Sequence, residues 1–255
     1  MRDPEATIQR LRAAGCVFAE DEAALLHDAA RSDAELDELL ARRTNGDPLE
    51  QILGWAQFCG LRIAVEPGVF VPRRRSEFLV ETAVSLALPG AVVVDMCCGT
   101  GALAAALMSS VSTSEVHAVE VDPTAVRCAN RNLPDANVYE GDLYAPLPAR
   151  LRGGVDVILA NAPYVPSDAI ALMPREARDF EHRVALDGGA DGLDVQRRVI
   201  AEAPHWLAPG GHLLVETSRP QAPVTLAVMQ AAGLVARIVT DDERDATVAI
   251  ATARP

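Results

Sequence analysis

Between residues 91 and 251 the sequence alternates short apolar runs with segments of helical periodicity, and this alternation constrains the fold more than any other feature. The strand-sized runs lie at 91–95, 116–121, 137–140, 155–160, 212–216, 234–240 and 246–251. Helical segments lie at 102–110, 123–130, 193–203 and 221–232. The pattern predicts a doubly wound α/β sheet of seven strands whose last two strands form an antiparallel hairpin at one edge. The only long irregular segment, 166–192, is predicted to be a functional lid.

The first 47 residues carry a different pattern. Apolar residues recur at helical spacing in three short segments with charged outer faces, and Ser32 with Glu35 forms a capping box. Three short helices bury too little apolar surface to be stable alone. The break at Asn45-Gly46-Asp47-Pro48 marks a boundary. The predicted organisation consists of three parts: a small helical bundle at 1–47, a bridging hairpin and helix at 48–90, and the α/β domain at 91–255.

The charge balance bears on the class of partner. The formal net charge is −13, and arginine supplies all of the basic side chains because the chain has no lysine. A strongly acidic protein is a poor general binder of phosphate backbones, so nucleic acid is not expected as the direct substrate. The five cysteines form no C-x-x-C pair, which predicts reduced thiols and no metal site. No apolar run has the length of a membrane span, so we expect a cytoplasmic protein without membrane contact.

The segment 92–101 is typical of a buried strand followed by a glycine-containing turn and the start of a helix. In doubly wound sheets, ligands bind at the carboxyl ends of such strands. The candidate ligand-binding residues in this turn are Cys97, Gly99, Thr100 and Gly101. Cys97 occupies the first glycine position of a dinucleotide fingerprint, and Asp95 at the strand end would repel a pyrophosphate. A ligand with a cationic head is therefore expected here.

Two further carboxylates follow the next strands along the chain. Glu120 closes the second strand, where an acidic side chain accepts from both hydroxyl groups of a ribose. Asp142 follows the third strand, where a carboxylate accepts from an exocyclic amine such as N6 of adenine while Leu143 or Tyr144 covers the ring. A single acidic residue at a strand end is usually a cap or a turn former. In series with Asp95 and the glycine-containing turn, these residues predict a pocket for S-adenosylmethionine.

The fourth strand is followed by Asn161-Ala162-Pro163-Tyr164, which we call the corner. These are the four predicted catalytic residues. Pro163 cannot donate a ladder hydrogen bond, and it holds Ala162 in an extended conformation. Asn161 Oδ1 and the Ala162 carbonyl can accept the two N–H groups of a planar amide or amine, and Tyr164 can cover its face. The same four residues also suit an ordinary proline turn. The acidic series at the preceding strands favours the first interpretation.

With these residues placed, the chain resembles the HemK/PrmC family of protein-(glutamine-N5) methyltransferases, which modify the Gly-Gly-Gln loop of peptide-chain release factors. The resemblance covers residues 48–252 and rests on segments 48–54, 67–73 and 185–194, on the pocket and the corner, and on Glu216 with Gln221. It implies a class I S-adenosylmethionine-dependent methyltransferase fold, with a release factor as the protein substrate recognised by the bundle. It also implies that Asn161 and the Ala162 carbonyl hold the glutamine amide and that Phe70 and Arg73 bind the substrate.

The predicted reaction is an in-line displacement in which the amide nitrogen attacks the sulfonium methyl group and S-adenosylhomocysteine leaves. The acceleration comes from positioning and electrostatics, without a strong base. Two alternatives stay open. Because the same corner suits an exocyclic base amine, the first is methylation of a nucleic acid. The second is binding of S-adenosylmethionine without catalysis, because Cys97 and Ala162 stand where the family has a glycine and a proline.

Overall fold

The computed structural model describes residues 3–254, apart from the side chain of Ser114, so predictions for residues 1, 2 and 255 lie outside the described residues. The helices are α1 (Pro4–Ala13), α2 (Ala19–Ala29), α3 (Asp33–Asn45), α4 (Leu49–Leu53), α5 (Glu77–Leu86), α6 (Ala102–Ser110), α7 (Pro123–Asn132), α8 (Arg175–Phe180), α9 (Asp194–Glu202) and α10 (Ala222–Ala231). The strands are β1 (Trp55–Phe58), β2 (Leu61–Ala64), β3 (Ala91–Met96), β4 (Thr113–Glu120), β5 (Asn137–Glu140), β6 (Val155–Ala160), β7 (Leu207–Glu216), β8 (Val235–Asp241) and β9 (Ala246–Thr252).

Seven of these strands form one sheet in the order β5-β4-β3-β6-β7-β9-β8, which confirms the predicted doubly wound fold. Strands β3 to β7 pair with one another in parallel, and β9 pairs antiparallel with both β7 and β8. The chain runs outward from β3 to β5 and then returns to start β6 on the other side of β3. The strand order therefore reverses between β3 and β6, where Met96 pairs with Ala160. Ligands bind at such switch points.

Both faces of the sheet are buried, because successive side chains along a strand point to opposite faces and both sets are apolar. Val93 and Leu159 pack into one core cluster with α5, α6 and α7. Val94 and Ile158 pack into the other with α9, α10 and Trp206. Met96 and Ala160, the last residues of β3 and β6, belong to the second cluster. The two central strands are thus held rigidly up to the point where the chain leaves the sheet.

The N-terminal helices α1, α2 and α3 pack around a separate small core that includes Leu11, Leu26 and Leu40. Helix α4 adds Ile52 to this core, although it lies beyond the predicted boundary at 47. The capping box is half formed. Ser32 accepts from the Glu35 N–H at 3.1 Å, but the Glu35 carboxylate accepts from the N–H of residue 31 and not from that of Ser32. The partition into three parts stays a prediction.

The segment 166–192 is not irregular, and that prediction is wrong. It contains helix α8 and two short 3₁₀ turns, Ile170–Leu172 and Arg183–Ala185. A helix as short as α8 gives too little periodicity to be recognised in a sequence. The segment also contacts both N-terminal parts: Gln51 of the bridging part donates to the Phe180 carbonyl at 3.0 Å, and Arg43 on α3 pairs with Glu176 at 2.5 Å.

Over residues 3–254, no helix is long and apolar enough to span a bilayer. Nor does that part of the chain contain a group of three or more histidine, cysteine, aspartate and glutamate side chains able to hold a metal ion.

Candidate functional site

A cavity of about 300 Å³ opens where the chain leaves β3, β4, β5 and β6. Nine predicted site residues line it: Phe70, Cys97, Gly99, Thr100, Glu120, Asp142, Leu143, Asn161 and Pro163. The other predicted site residues do not: Arg73, Asp95, Gly101, Ala162 and Tyr164. The fold therefore brings the predicted ligand-binding turn, the two later carboxylates and the asparagine corner to one place, as expected for a switch point.

The turn after β3 has a backbone that few side chains tolerate. Cys97 has φ +58°, in the left-handed region that favours glycine. Gly101 has φ +77°, and a Cβ there would lie 2.6 Å from the Leu133 side chain and 3.5 Å from the Ala129 Cα. Gly101 thus allows α6 to start close against α7. Its contribution to ligand binding, which the sequence predicts, stays a prediction.

Glu120 is the best-supported acceptor in the cavity. Its Oε1 accepts from the N–H groups of Val121 at 2.7 Å and Asp122 at 3.0 Å, and its Oε2 accepts from the Gly99 N–H at 2.9 Å. Burial raises the pKa of Glu120, and the three backbone donors oppose that rise. Each oxygen of a carboxylate has two acceptor positions, so the fixed group keeps one position, on Oε2, for a hydroxyl group of a ligand.

The adenine end of the predicted pocket carries an ion pair. Asp142 accepts from Arg198 at 2.6 Å, and both side chains line the cavity. Leu143 follows in a left-handed conformation, with φ +48°, and is 6% exposed. Arg198 lies on α9. The sequence around Asp142 does not indicate that Arg198 is the partner of this carboxylate, because the two residues belong to distant segments.

Asp95 is fully buried and does not line the cavity, so its contact with the ligand stays a prediction. Its Oδ2 accepts from the Ala104 N–H at 3.0 Å, so the carboxylate serves the start of α6. No partner among residues 3–254 reaches its Oδ1. Burial raises the pKa of Asp95 to about 7, although the Ala104 N–H lowers it.

We expect Asp95→Asn to alter the pH dependence of stability. Because the pKa of Asp95 is about 7 when folded against an ordinary 3.8, ionisation destabilises the folded protein as pH rises through this range. At about 1.4 kcal/mol per pH unit, the cost accumulated from pH 5 to pH 8 is about 2 to 3 kcal/mol. Urea titrations should therefore show the variant gaining this much free energy of unfolding over the wild type across that interval. A difference that stays constant with pH would contradict the buried, titrating carboxylate.

The corner after β6 carries two hydrogen-bond acceptors, Asn161 Oδ1 and the Ala162 carbonyl. Asn161 lines the cavity, and Ala162 does not. Asn161 Nδ2 donates to Ser76 Oγ at 3.3 Å. Within residues 3–254, no donor engages Asn161 Oδ1 or the Ala162 carbonyl. Ala162 itself is 1% exposed, so its methyl group is packed inside while its carbonyl is unpaired. The two acceptors proposed for a planar amide are therefore both uncommitted.

Tyr164 is anchored away from the cavity. Its hydroxyl group accepts from Arg75 at 2.7 Å and donates to Glu216 at 3.3 Å, and its carbonyl accepts from Gln221 Nε2 at 3.0 Å. Burial and the nearby Glu216 raise the pKa of Tyr164 to about 12. A Cβ at Gly192 would lie 2.3 Å from the Tyr164 carbonyl oxygen, so this glycine permits close packing behind the corner. Because the ring does not line the cavity, covering of a substrate amide by Tyr164 stays a prediction.

Phe70 lines the cavity as predicted, but Arg73 is engaged inside the protein. The Arg73 guanidinium lies 4.8 Å from the Phe70 ring centroid and pairs with Glu181 at 2.5 Å. Glu181 also accepts from the Val71 N–H at 3.0 Å. Burial raises the pKa of Glu181, and Arg73 opposes that rise. Arg73 therefore orients Phe70 and fixes the segment that follows α8, and its contact with substrate stays a prediction.

Several cavity residues were not identified from the sequence: Phe58, Pro72, Ser76, Val121, Val184 and Arg198. The sequence gives a partial indication of Ser76, because this serine directly follows three consecutive arginines and directly precedes a predicted helix. The apolar members gave none, because an apolar residue at an element end is ordinary core. Arg75 and Glu216 were missed as partners of Tyr164 because they lie on separate elements.

Comparison with known proteins gives a consistent result. Residues 60–175 match the family model described as the methyltransferase small domain. The chain is 39% identical to the release factor glutamine methyltransferase of Geobacter sulfurreducens, over 76% of this chain and 69% of that protein. It is also 39% identical to the release factor glutamine methyltransferase of Streptomyces coelicolor, over 84% of this chain and 83% of that protein.

Solved structures agree on the fold. A Thermus thermophilus 16S rRNA N2 G1207 methyltransferase in complex with AdoMet and guanosine matches with a TM-score of 0.58 at 21% identity, over 78% of this chain and 50% of that chain. A methyltransferase from Pyrococcus furiosus matches with a TM-score of 0.57 at 19% identity, over 86% of this chain and 100% of that chain. At such identities the match establishes the architecture alone.

Proposed function

The chain belongs to the release factor glutamine methyltransferase family, and from that premise we propose that it transfers a methyl group from S-adenosylmethionine to the side-chain amide of a glutamine in a release factor. Membership confirms the family resemblance carried by residues 48–252. The observation that carries the proposal is the Asn161 corner, which has two unpaired acceptors and whose Asn161 lines the cavity beside the turn after β3 and the Glu120 carboxylate.

The residues of the cavity suit S-adenosylmethionine. Glu120 offers a buried, fixed carboxylate for a ribose hydroxyl group, and Asp142 with Leu143 offers an acceptor and an apolar cover for adenine. Apart from Gly99 and its two chain neighbours, no heavy atom of residues 3–254 lies within 4 Å of the position that a Cβ would take at Gly99, so the turn leaves room for a ligand against its backbone. When bound, the cofactor supplies an electrophilic methyl group on a sulfonium.

The corner supplies the orientation that an amide nucleophile needs. The lone pair of an amide nitrogen is delocalised into its carbonyl, so the nitrogen is a poor nucleophile. Asn161 Oδ1 and the Ala162 carbonyl accept its two N–H bonds, polarise them and direct the nitrogen toward the cofactor side of the cavity. Among the described residues that line the cavity there is no histidine or lysine, so the chain relies on positioning and not on a strong base.

A release factor is the proposed partner in preference to a nucleic acid. A base extruded from RNA needs a basic track for its backbone, whereas the formal net charge here is −13. Arg73 and Arg75, two of the three clustered arginines, are paired with Glu181 and Glu216. We place the activity in the cytoplasm, where release factors act in translation.

A single transfer assay tests the proposal. The protein is incubated with methyl-labelled S-adenosylmethionine and, in parallel, with a release factor, the same factor carrying Gln→Ala in its Gly-Gly-Gln loop, and total RNA. Label on the wild-type factor alone supports glutamine methylation. Label on RNA would replace the proposal with methylation of a base amine. Cofactor binding without any transfer would favour a non-catalytic binder.

A further inference from the structure

Ser76 lies at the junction between the bridging segment and the catalytic corner. It ends the 3₁₀ turn Arg74–Ser76 directly before α5, and its N–H donates to the Arg73 carbonyl at 2.9 Å. The side chain is 2% exposed and lines the cavity. The turn, the helix and the cavity wall therefore fix the position of its hydroxyl group.

The hydroxyl group of Ser76 does not serve the helix it precedes. Ser76 has helical backbone angles, φ −71° and ψ −11°, so it continues the 3₁₀ turn into α5 and does not have the extended conformation from which a serine caps a helix. Its hydroxyl group accepts from Asn161 Nδ2 at 3.3 Å. This buried hydroxyl group therefore bonds to a side chain of the corner.

A carboxamide has one end that accepts hydrogen bonds and one that donates. If Asn161 rotated by half a turn about its last side-chain bond, its NH₂ group would meet the N–H groups of the substrate amide, and two donors would face each other. In the observed orientation Ser76 Oγ accepts from Nδ2, and Oδ1 has no donor from residues 3–254. Because a hydroxyl group can also donate, the contact fixes the position and plane of the carboxamide, and the substrate amide is the group that requires Oδ1. The neighbouring Arg75 holds Tyr164, so one turn positions both ends of the corner.

We propose that Ser76 is a positioning residue for methyl transfer, which fixes the plane of the Asn161 carboxamide at the cavity so that Oδ1 is available to the substrate amide. This role rests on the proposed glutamine methylation, since it is the amide substrate that requires an acceptor. Ser76 acts through Asn161 and contacts no reacting atom.

The kinetic test compares Ser76→Ala with Ser76→Thr, which keeps a hydroxyl group. Loss of the hydrogen bond should lower kcat about 5- to 10-fold, while KM for the release factor and the affinity for S-adenosylmethionine stay within about two-fold. Ser76→Thr should recover kcat to within about two-fold of the wild type. Ser85→Ala is the matched control, because Ser85 is an exposed serine on α5 whose hydroxyl group bonds to the Thr82 carbonyl of the same helix. An unchanged kcat in Ser76→Ala, or equal losses in the alanine and threonine variants, would overturn the proposal.

A second measurement does not depend on any activity. The chain has five asparagines, so protein labelled with ¹⁵N only at asparagine gives few side-chain amide signals, and Asn161→Gln identifies those of Asn161. In Ser76→Ala, exchange of the Asn161 amide protons with water should accelerate about 5- to 10-fold while the other four asparagines are unaffected. Unchanged exchange at Asn161 would overturn the positioning role even if the wild type methylates release factors. Accelerated exchange in a protein that methylates nothing would leave the hydrogen bond standing and reject the proposed function.

Discussion

Asn161→Ala is expected to reduce methyl transfer to the release factor at least about 100-fold, with the affinity for S-adenosylmethionine within about two-fold of the wild type. Removal of one preorganised hydrogen-bonding group from an active site costs about 10²- to 10³-fold in kcat. The alanine side chain removes Oδ1, one of two acceptors for the substrate amide. The groups that suit the cofactor belong to β3, β4 and the segment after β5, and none of them bonds to Asn161.

The measurement pairs single-turnover kinetics with calorimetric titration of S-adenosylmethionine. Asn130→Ala is the matched control, because Asn130 is an exposed asparagine on α7 whose amide donates to the Val126 carbonyl of its own helix. A collapse of cofactor affinity in Asn161→Ala would show that the carboxamide belongs to the cofactor half of the site, and the division of the cavity would have to be redrawn.

The sheet was predictable from the sequence because every strand between residues 91 and 251 contains a short apolar stretch, and glycine, proline or charged residues separate these stretches. Details that depend on pairing were not. Strand β7 begins at Leu207, ahead of Pro209 and two glycines that look like a loop. These residues are accommodated because the register of β6 against β7 shifts between Val155 and Val157.

The site was predictable where it depends on strand ends and was not where it depends on side chains that meet from distant segments. Glu120, Asp142 and Asn161 each follow a strand, so topology alone brings them together. The partners that fix them come from elsewhere: Ser76 reaches Asn161, and Arg198 reaches Asp142. A local pattern carries no information about such contacts, since many surface arginines and serines fit the same description.

Asp95 shows a different reason why a carboxylate at a strand end need not line the cavity. An acidic residue at the end of β3 is correctly predicted to lie beside the cofactor turn, but the same backbone geometry that opens the turn also starts α6 at Ala102. The first N–H groups of this helix have no partner within the helix and attract the carboxylate, and the Ala104 N–H donates to it. The sequence shows that a carboxylate stands at the end of β3, whereas only the structure shows that this carboxylate accepts a hydrogen bond from the start of α6.

Glu120→Gln is expected to weaken binding of S-adenosylhomocysteine about 10- to 100-fold. The carboxylate already accepts from Gly99, Val121 and Asp122, and we expect a ribose hydroxyl group to take the position that remains on Oε2. A glutamine has a single acceptor oxygen, so its NH₂ group must face at least one of these N–H donors in a buried site. A hydrogen bond to a charged group contributes about 1.5 to 3 kcal/mol, which corresponds to the expected loss.

Comparing S-adenosylhomocysteine with its 2′-deoxy analogue distinguishes loss of a ribose contact from general disruption of the turn after β3. Wild-type protein should bind S-adenosylhomocysteine about 10-fold or more tightly than its 2′-deoxy analogue, and Glu120→Gln should bind the two about equally. Glu140→Gln is the matched control, because Glu140 is an exposed carboxylate paired in register with Glu120 on the neighbouring strand β5. If Glu120→Gln still discriminates against the deoxy analogue as the wild type does, the ribose is held elsewhere. In that case Glu120 serves only to hold together the turn after β3 and the turn after β4.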